Sequence, residues 1–212
     1  MDEIIKVKGI TKVYNGVTVL NDINIVFEKE KIHGIIGRNG SGKTVLIKTI
    51  CGFVRPDKGE IIVDGKVIGE DVDFPENIGV IIEGPGFIPN VNAYKNLQYL
   101  ASLRGRIGER EICEAMFRVG LNPNDKKHVG KYSLGMKQRL GLAQAIMENP
   151  QILILDEPMN GLDRSGVENM RTLFRQFKDE GKTIILVSHN TEDIRLLCDT
   201  VHEMDNGRLI NE

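Results

Sequence analysis

The run Gly37-Arg38-Asn39-Gly40-Ser41-Gly42-Lys43-Thr44 constrains this chain more than any other part of it. It follows an apolar segment, Ile32 to Ile36, and opens a helix-compatible stretch, Val45 to Ile50. Strand, glycine-rich loop and helix in that order build a cradle for phosphate. The glycines let backbone N–H groups turn inward on phosphate oxygens, and the helix N-terminus adds its positive dipole. In such a loop Lys43 reaches the β- and γ-phosphates of a nucleotide, and the Thr44 hydroxyl ligates Mg²⁺. A glycine-rich turn with a chance lysine would not fill every fixed position of the motif in this context.

The surrounding pattern says what the loop is set into. Ile4 to Val7, Val17 to Leu20 and Ile23 to Phe27 read as short strands separated by turn residues such as Asn15-Gly16. Ile61 to Val63, then Asp64-Gly65, then Lys66 to Ile68 predicts a hairpin, because Asp-Gly supplies the positive φ angles of a tight turn. From about Val91 to Met147 the periodicity turns helical. The last third alternates apolar strands, Ile152 to Leu155 and Ile184 to Val187, with helices. In the helix between those strands Met170, Leu173, Phe174 and Phe177 share one face, and Gly181 ends it. Continuous apolar strands alternating with helices predict a parallel sheet covered on both faces. The fold class is α/β with a helical insertion.

A second chemical signal closes the first of those strands: Ile152-Leu153-Ile154-Leu155-Asp156-Glu157. Two adjacent carboxylates at the end of a buried strand are costly unless they serve a cation or a reaction. Beside a phosphate loop, Asp156 would hold Mg²⁺ through water and Glu157 would polarise an attacking water as general base. Taken alone, the pair could equally be solvated carboxylates at a helix start before Pro158.

Composition narrows the setting. Of the 212 residues, 41% are hydrophobic and 27% charged, as in water-soluble globular chains. A net charge of -2 gives no reason to expect nucleic acid or an anionic membrane as partner. The apolar runs are too short to cross a bilayer, and Met-Asp-Glu-Ile-Ile-Lys does not read as a signal peptide. Cys51, Cys113 and Cys198 lack metal-ligand spacing and read as reduced thiols of a cytosolic protein. The chain stops soon after a strand turn at Asp205-Asn206-Gly207, and no regulatory domain is expected after it.

The segment between the two chemical signals narrows the family. Tyr132-Ser133-Leu134-Gly135-Met136-Lys137-Gln138 stands at a helix start, with Met136, Leu140, Ala143 and Met147 forming an apolar stripe behind it. Here, and over essentially its whole length, the chain resembles the ABC (ATP-binding cassette) ATPases, whose signature has this position. Asn160-Gly161-Leu162-Asp163 resembles their D-loop, Ser188-His189 their switch histidine, and Tyr14 the aromatic that stacks on adenine. The resemblance implies a P-loop NTPase (RecA-like) core with an N-terminal antiparallel β-subdomain and an inserted α-helical subdomain. Residues 1–85 and 146–212 would form the nucleotide-binding core with its β-subdomain, and 86–145 the helical subdomain carrying the signature. It also implies two copies closing head to tail on two ATP molecules with Mg²⁺. Gly37, Arg38, Asn39, Gly40, Ser41, Gly42, Lys43 and Thr44 would hold the phosphates, while Ser133 and Gly135 contact the γ-phosphate bound on the other protomer. A serine at that helix start would also serve as an N-cap. His189 would touch the γ-phosphate and hold the geometry around Glu157, whereas His33, His128 and His202 read as ordinary packed or solvated side chains.

Two departures from the family pattern stand out. The signature has Leu134 where a glycine is common. In Ile78-Gly79-Val80-Ile81-Ile82-Glu83-Gly84-Pro85-Gly86-Phe87, which aligns with the Q-loop, Glu83 replaces the glutamine. A carboxylate can ligate Mg²⁺ but lacks the amide's donor N–H. Glu83 together with this signature resembles exporters of bacitracin or lantibiotic-type peptides. The resemblance thus implies an ATPase on the inner face of the cell membrane, docked on a separate permease. Phe87, Ile88 and Tyr94 would border the docking surface, or belong to the core. A non-transport ABC ATPase of the iron–sulfur assembly type, and a regulatory cassette that only docks, remain as alternatives.

Overall fold

The computed structural model describes residues 2–84 and 86–211. Two long strands, β1 (Glu3–Tyr14) and β2 (Val17–Glu28), form an antiparallel hairpin. The sequence pattern separates Val17–Leu20 from Ile23–Phe27, but both lie in β2. Asp22 takes a left-handed φ of 55° and makes an irregularity within the strand, facing Gly9 at φ 60°. A short polar residue at positive φ inside a ladder kinks the strand and increases its twist rather than ending it. The Asn24 side chain repairs the ladder by accepting the Gly9 N–H at 2.8 Å.

Next come β3 (Ile32–Gly37), α1 (Lys43–Ile50), and the hairpin β4 (Lys58–Val63) and β5 (Lys66–Val67). Asp64 and Gly65 have φ of 47° and 77°, the double left-handed turn that Asp-Gly favours. The first sheet is ordered β2-β1-β4-β5. Strand β6 (Ile78–Ile81) leads to α2 (Ala93–Arg104), α3 (Glu109–Arg118) and α4 (Leu134–Ile146). The chain returns as β7 (Ile152–Asp156), α5 (Arg164–Asp179), β8 (Thr183–Val187), α6 (Thr191–Leu197), β9 (Thr200–Asp205) and β10 (Arg208–Asn211).

The second sheet is ordered β10-β9-β3-β8-β7-β6, with every pair parallel except β10 on β9. Its strands alternate between two cores. Leu153, Leu155, Ile184 and Leu186 pack against α2 to α5, while Ile152, Ile154, Ile185 and Val187 pack against α1 and the β1–β2 hairpin. Burial on both faces is why these strands are apolar without interruption. The parallel strands β3, β7 and β8 therefore deliver Gly37, Asp156 and Val187 to one edge, where the loops of an α/β sheet bind ligands.

Met170, Leu173, Phe174 and Phe177 are buried on α5, and Leu140, Ala143 and Met147 are buried behind α4, with Met136 half-buried. Cys51, Cys113 and Cys198 are free thiols, and burial pushes Cys51 and Cys198 up to about 12. No helix among the described residues is long and apolar enough to cross a membrane.

Candidate active site

Gly37 ends β3 with φ 150°, and a Cβ there would lie 2.2 Å from the Met204 carbonyl oxygen. Gly42 begins α1 with φ 101°, and its Cβ would lie 2.8 Å from the Val19 carbonyl oxygen. Only glycine can make both turns at that approach. Between them Arg38, Asn39 and Gly40 are exposed, while Ser41 is buried and Lys43 is buried behind them. The Lys43 ammonium donates to the Gly37 and Arg38 carbonyls at 2.7 and 2.9 Å, so it already lies over the mouth of the loop.

Thr44 and Asp156 meet across the sheet edge, the threonine hydroxyl donating to Asp156 Oδ2 at 3.0 Å. Beside them Glu157 leaves β7 with a φ of 49°, a conformation that costs a non-glycine residue about 1–3 kcal/mol. Its N–H still donates to the Val187 carbonyl at 2.9 Å, which locks it to β8. The strained turn aims the carboxylate at the next loop. Glu157 Oε1 accepts the His189 N–H at 2.9 Å and lies 2.7 Å from His189 Nδ1. Ser188 Oγ lies 3.5 Å from Glu157 Oε2. Because a carboxylate only accepts, Nδ1 carries the proton and Nε2 is left free to face outward.

The electrostatics follow from burial at this edge. Desolvation raises the Asp156 carboxyl above its ordinary value, and the neighbouring Glu157 and Glu83 charges add to it against the Thr44 bond and Lys43. Desolvation likewise lowers the Lys43 ammonium, opposed by Glu157 and Asp156. A site that penalises both charges of its own is one that gains from a further polyanion and cation.

Three observations test whether nucleotide and Mg²⁺ fit. The buried Ser41 Oγ has no hydrogen-bond partner. Helix α1 starts with no side-chain cap and no acidic residue in its first turn, so its N–H groups suit an anion. The Thr44–Asp156 pair offers hard oxygen donors, and no group of three or more His, Cys, Asp or Glu side chains gathers among the described residues. That set suits Mg²⁺, which binds through one or two protein oxygens and takes the rest from phosphates and water.

The remaining expected residues lie outside this cluster. Glu83 has φ 56° and pairs with Lys48 Nζ at 2.7 Å, so it must leave that lysine before it can ligate a cation. Tyr14 stands at the tip of the β1–β2 hairpin, largely exposed, with Lys12 Nζ 5.3 Å from its ring centroid. Ser133 caps α4 by accepting the Met136 N–H at 3.2 Å. Among the described residues no hydrogen bond joins Ser133 or Gly135 to the Gly37–Thr44 loop. Leu134 packs instead on the D-loop: a Cβ on Gly161 would lie 2.2 Å from Leu134 Cδ2. Phe87 and Tyr94 are half-buried against the helical core and Ile88 is exposed. Pro85 lies outside the described residues.

Sequence reasoning missed two parts of the site. Lys48 stands four residues after Thr44, one turn along the same helical face, a spacing that could have flagged it. The turn Met204–Asn206 lines a cleft of about 400 Å³ with Arg38 to Ser41, and nothing in the sequence links segments so far apart.

Comparison with known proteins identifies the family. A family described as "ABC transporter" matches residues 20–160. The chain is 43% identical to an uncharacterized ABC transporter ATP-binding protein, YybJ of Bacillus subtilis (strain 168), over 97% of this chain and 94% of that one. It is 41% identical to the bacitracin transport ATP-binding protein BcrA of Enterococcus faecalis, over 100% of this chain and 70% of BcrA. It is 37% identical to the lantibiotic transport ATP-binding protein SrtF of Streptococcus pyogenes, over 98% and 90%. The fold superposes on the ATP-binding cassette MJ0796, seen as a dimer bound to ADP and Pi, with a TM-score of 0.88 at 22% identity over 98% of this chain and 97% of that one. With the Gly37–Thr44 loop, the Asp156-Glu157 pair and His189 on one sheet edge, the chain belongs to the ABC transporter family as one of its ATP-binding cassette ATPases.

Proposed function

We propose that the chain hydrolyses ATP as half of a head-to-tail dimer and so energises a separate membrane permease that exports an antimicrobial peptide or similar amphiphile. The observation that carries the ATPase reading is the convergence of Lys43, Thr44–Asp156 and Glu157–His189 on one edge of the parallel sheet. Lys43 and the loop N–H groups bind and neutralise the β- and γ-phosphates. Thr44 and Asp156 hold Mg²⁺, which when bound offsets charge on the phosphate oxygens. Glu157, held by His189, orients water and accepts its proton, work worth about 10²–10⁴-fold in rate. Ser133 and Gly135 make no hydrogen bond to the Gly37–Thr44 loop among the described residues, and a second copy in head-to-tail register would bring them to its nucleotide.

The relatives named for bacitracin and lantibiotic transport support the cargo, and the absence of a membrane-spanning helix among the described residues supports a separate permease. A groove of about 520 Å³ between β6, the end of α1 and α2 offers a place for it, with Phe53, Phe74 and Leu103 exposed along it. Exposed apolar residues in a polar-rimmed groove are what a partner helix requires. Docking there would hold the ATPase on the inner face of the membrane.

Turnover measured against protein concentration, wild type beside Glu157→Gln, with size-exclusion chromatography in Mg-ATP, tests the reading. The wild type should show superlinear turnover, and the variant should lose about 10²–10⁴-fold in kcat while forming an ATP-dependent dimer. Equal turnover by both proteins as monomers would sink it.

A further inference from the structure

Helix α6, Thr191–Leu197, has 7 residues, and isolated helices shorter than about 12–15 residues are marginal in water. Yet the loop entering it must keep His189 on Glu157. The connection is tight throughout. Asn190 caps the helix by accepting from Glu192 N at 3.0 Å and Asp193 N at 3.4 Å. Its own N–H donates to Ser188 Oγ at 3.0 Å, and that hydroxyl lies against Glu157. Any rotation of the first turn of α6 is therefore passed directly to His189.

What sets that rotation comes from α5. Arg171 and Asp193 are both buried, 8% and 3% exposed. Arg171 Nε and a terminal nitrogen donate to Asp193 Oδ1 at 3.0 and 2.5 Å. Its other terminal nitrogen donates to Glu168 Oε1 at 2.5 Å, one turn earlier on α5. A buried ion pair is weak evidence for stability, since apolar residues of similar volume often serve as well. Apolar packing of α6 is already present in Ile194 and Leu197. The planar fork of an arginine held by two carboxylates adds direction, which apolar contacts leave loose.

We propose that Arg171 is a positioning residue for hydrolysis: through Asp193 it fixes the orientation of α6 and so holds His189 on Glu157. This rests on the reading that Glu157 and His189 act on the attacking water.

Two variants decide it, Arg171→Lys and Arg171→Met/Asp193→Leu, the second leaving no buried charge unpaired. Both should fold, with Tm within a few degrees of wild type and KM for ATP within about 3-fold. In the double variant kcat should fall about 10–100-fold, the cost of a small misplacement near the reacting atoms. Arg171→Lys, which keeps the charge but loses the fork, should fall only about 3-fold. Hydrogen exchange at the His189 amide, which donates to Glu157, should quicken in the double variant while Ile185 and Leu186 in β8 stay slow. That readout needs no turnover. An inactive wild type would overturn the ATPase reading, while exchange would still judge the anchor. Wild-type kcat in the double variant, unchanged exchange at His189, or a KM that rises as kcat falls overturns the proposal. Should the double variant not fold, Arg171→Lys decides at a temperature where it is fully folded, and wild-type kcat with unchanged His189 exchange refutes positioning.

Discussion

The two ends of the same parallel strands are built on opposite terms. At the N-terminal end the buried His33 and Lys182 and the exposed Asp199 are each matched. His33 places Nδ1 2.7 Å from Thr200 Oγ1 and Nε2 2.8 Å from the Glu28 carbonyl. Lys182 donates to Asn149 Oδ1 and the Pro150 carbonyl at 2.6 and 2.7 Å, and Asp199 accepts the Ile32 N–H at 2.8 Å. At the C-terminal end Ser41 Oγ is orphaned, Asp156 is held above its ordinary range, and Glu157 sits at positive φ. One end is organised for stability. The other stores unfavourable terms that a phosphate chain and a cation would relieve, so stability and function should come apart under mutation.

The largest expected effect probes what the C-terminal edge lacks. Lys43→Ala and Ser133→Arg should each abolish turnover. Mixed in equal amounts they should recover about a quarter of the wild-type rate, because the proposed head-to-tail pairing would rebuild one intact site per mixed dimer. No recovery in a mixture shown to form mixed dimers would mean that Ser133 serves its own chain's site or only its helix cap.

A smaller effect separates the two ends by stability. Asp156→Asn should abolish Mg²⁺-dependent turnover yet raise Tm by a few degrees without nucleotide. Because the folded-state value of Asp156 is raised above 3.8, ionisation is penalised in the fold. The penalty is absent below that pH and complete once pH exceeds the raised value. The Tm advantage should therefore appear as pH rises above 3.8 and level off once the raised value is passed. A drop in Tm at neutral pH would show that the Thr44 bond outweighs desolvation.

The smallest effect belongs to the other end. The Glu28 carbonyl can only accept, so His33 Nε2 carries the proton and Nδ1 accepts from Thr200. Burial lowers the His33 value below 6.5, and His202 is lowered likewise. A depressed histidine favours the fold above 6.5, and that stability is lost as pH falls below it, by at most about 1.4 kcal/mol per pH unit for each ring. His33→Gln should flatten the fall in unfolding free energy between pH 6.5 and 5.5 while leaving kcat at pH 7.5 unchanged. A steeper fall would place the acid sensitivity elsewhere.

The legible parts of the molecule were those whose chemistry is local. The loop from Gly37 to Thr44, the pair Asp156-Glu157 and the Asp64-Gly65 turn each state their geometry within a few residues. Strand β6 was harder to read as a strand. It is short, its ladder partner is Ile152 to Leu155, and its apolar run shares a segment with the Glu83 loop. The break at Asp22 was misread because a left-handed residue looks alike in a bulge and in a turn, and only the partner strand distinguishes them. Lys48 for Glu83, and Asp193 for Arg171, are choices of counter-ion that depend on which elements come to rest side by side.

Sequence alone therefore determined the phosphate loop, the carboxylate pair, the apolar strands with their coverage on both faces, and the family, because each is written in residue type and spacing along a continuous stretch. Only the tertiary structure decided that Glu157 lies on His189, that Asp156 meets Thr44, that Glu83 is held by Lys48, and that Ser133 caps its own helix. Those are distances between residues remote in the chain, set by sheet order and by the burial that makes each charge choose a neighbour.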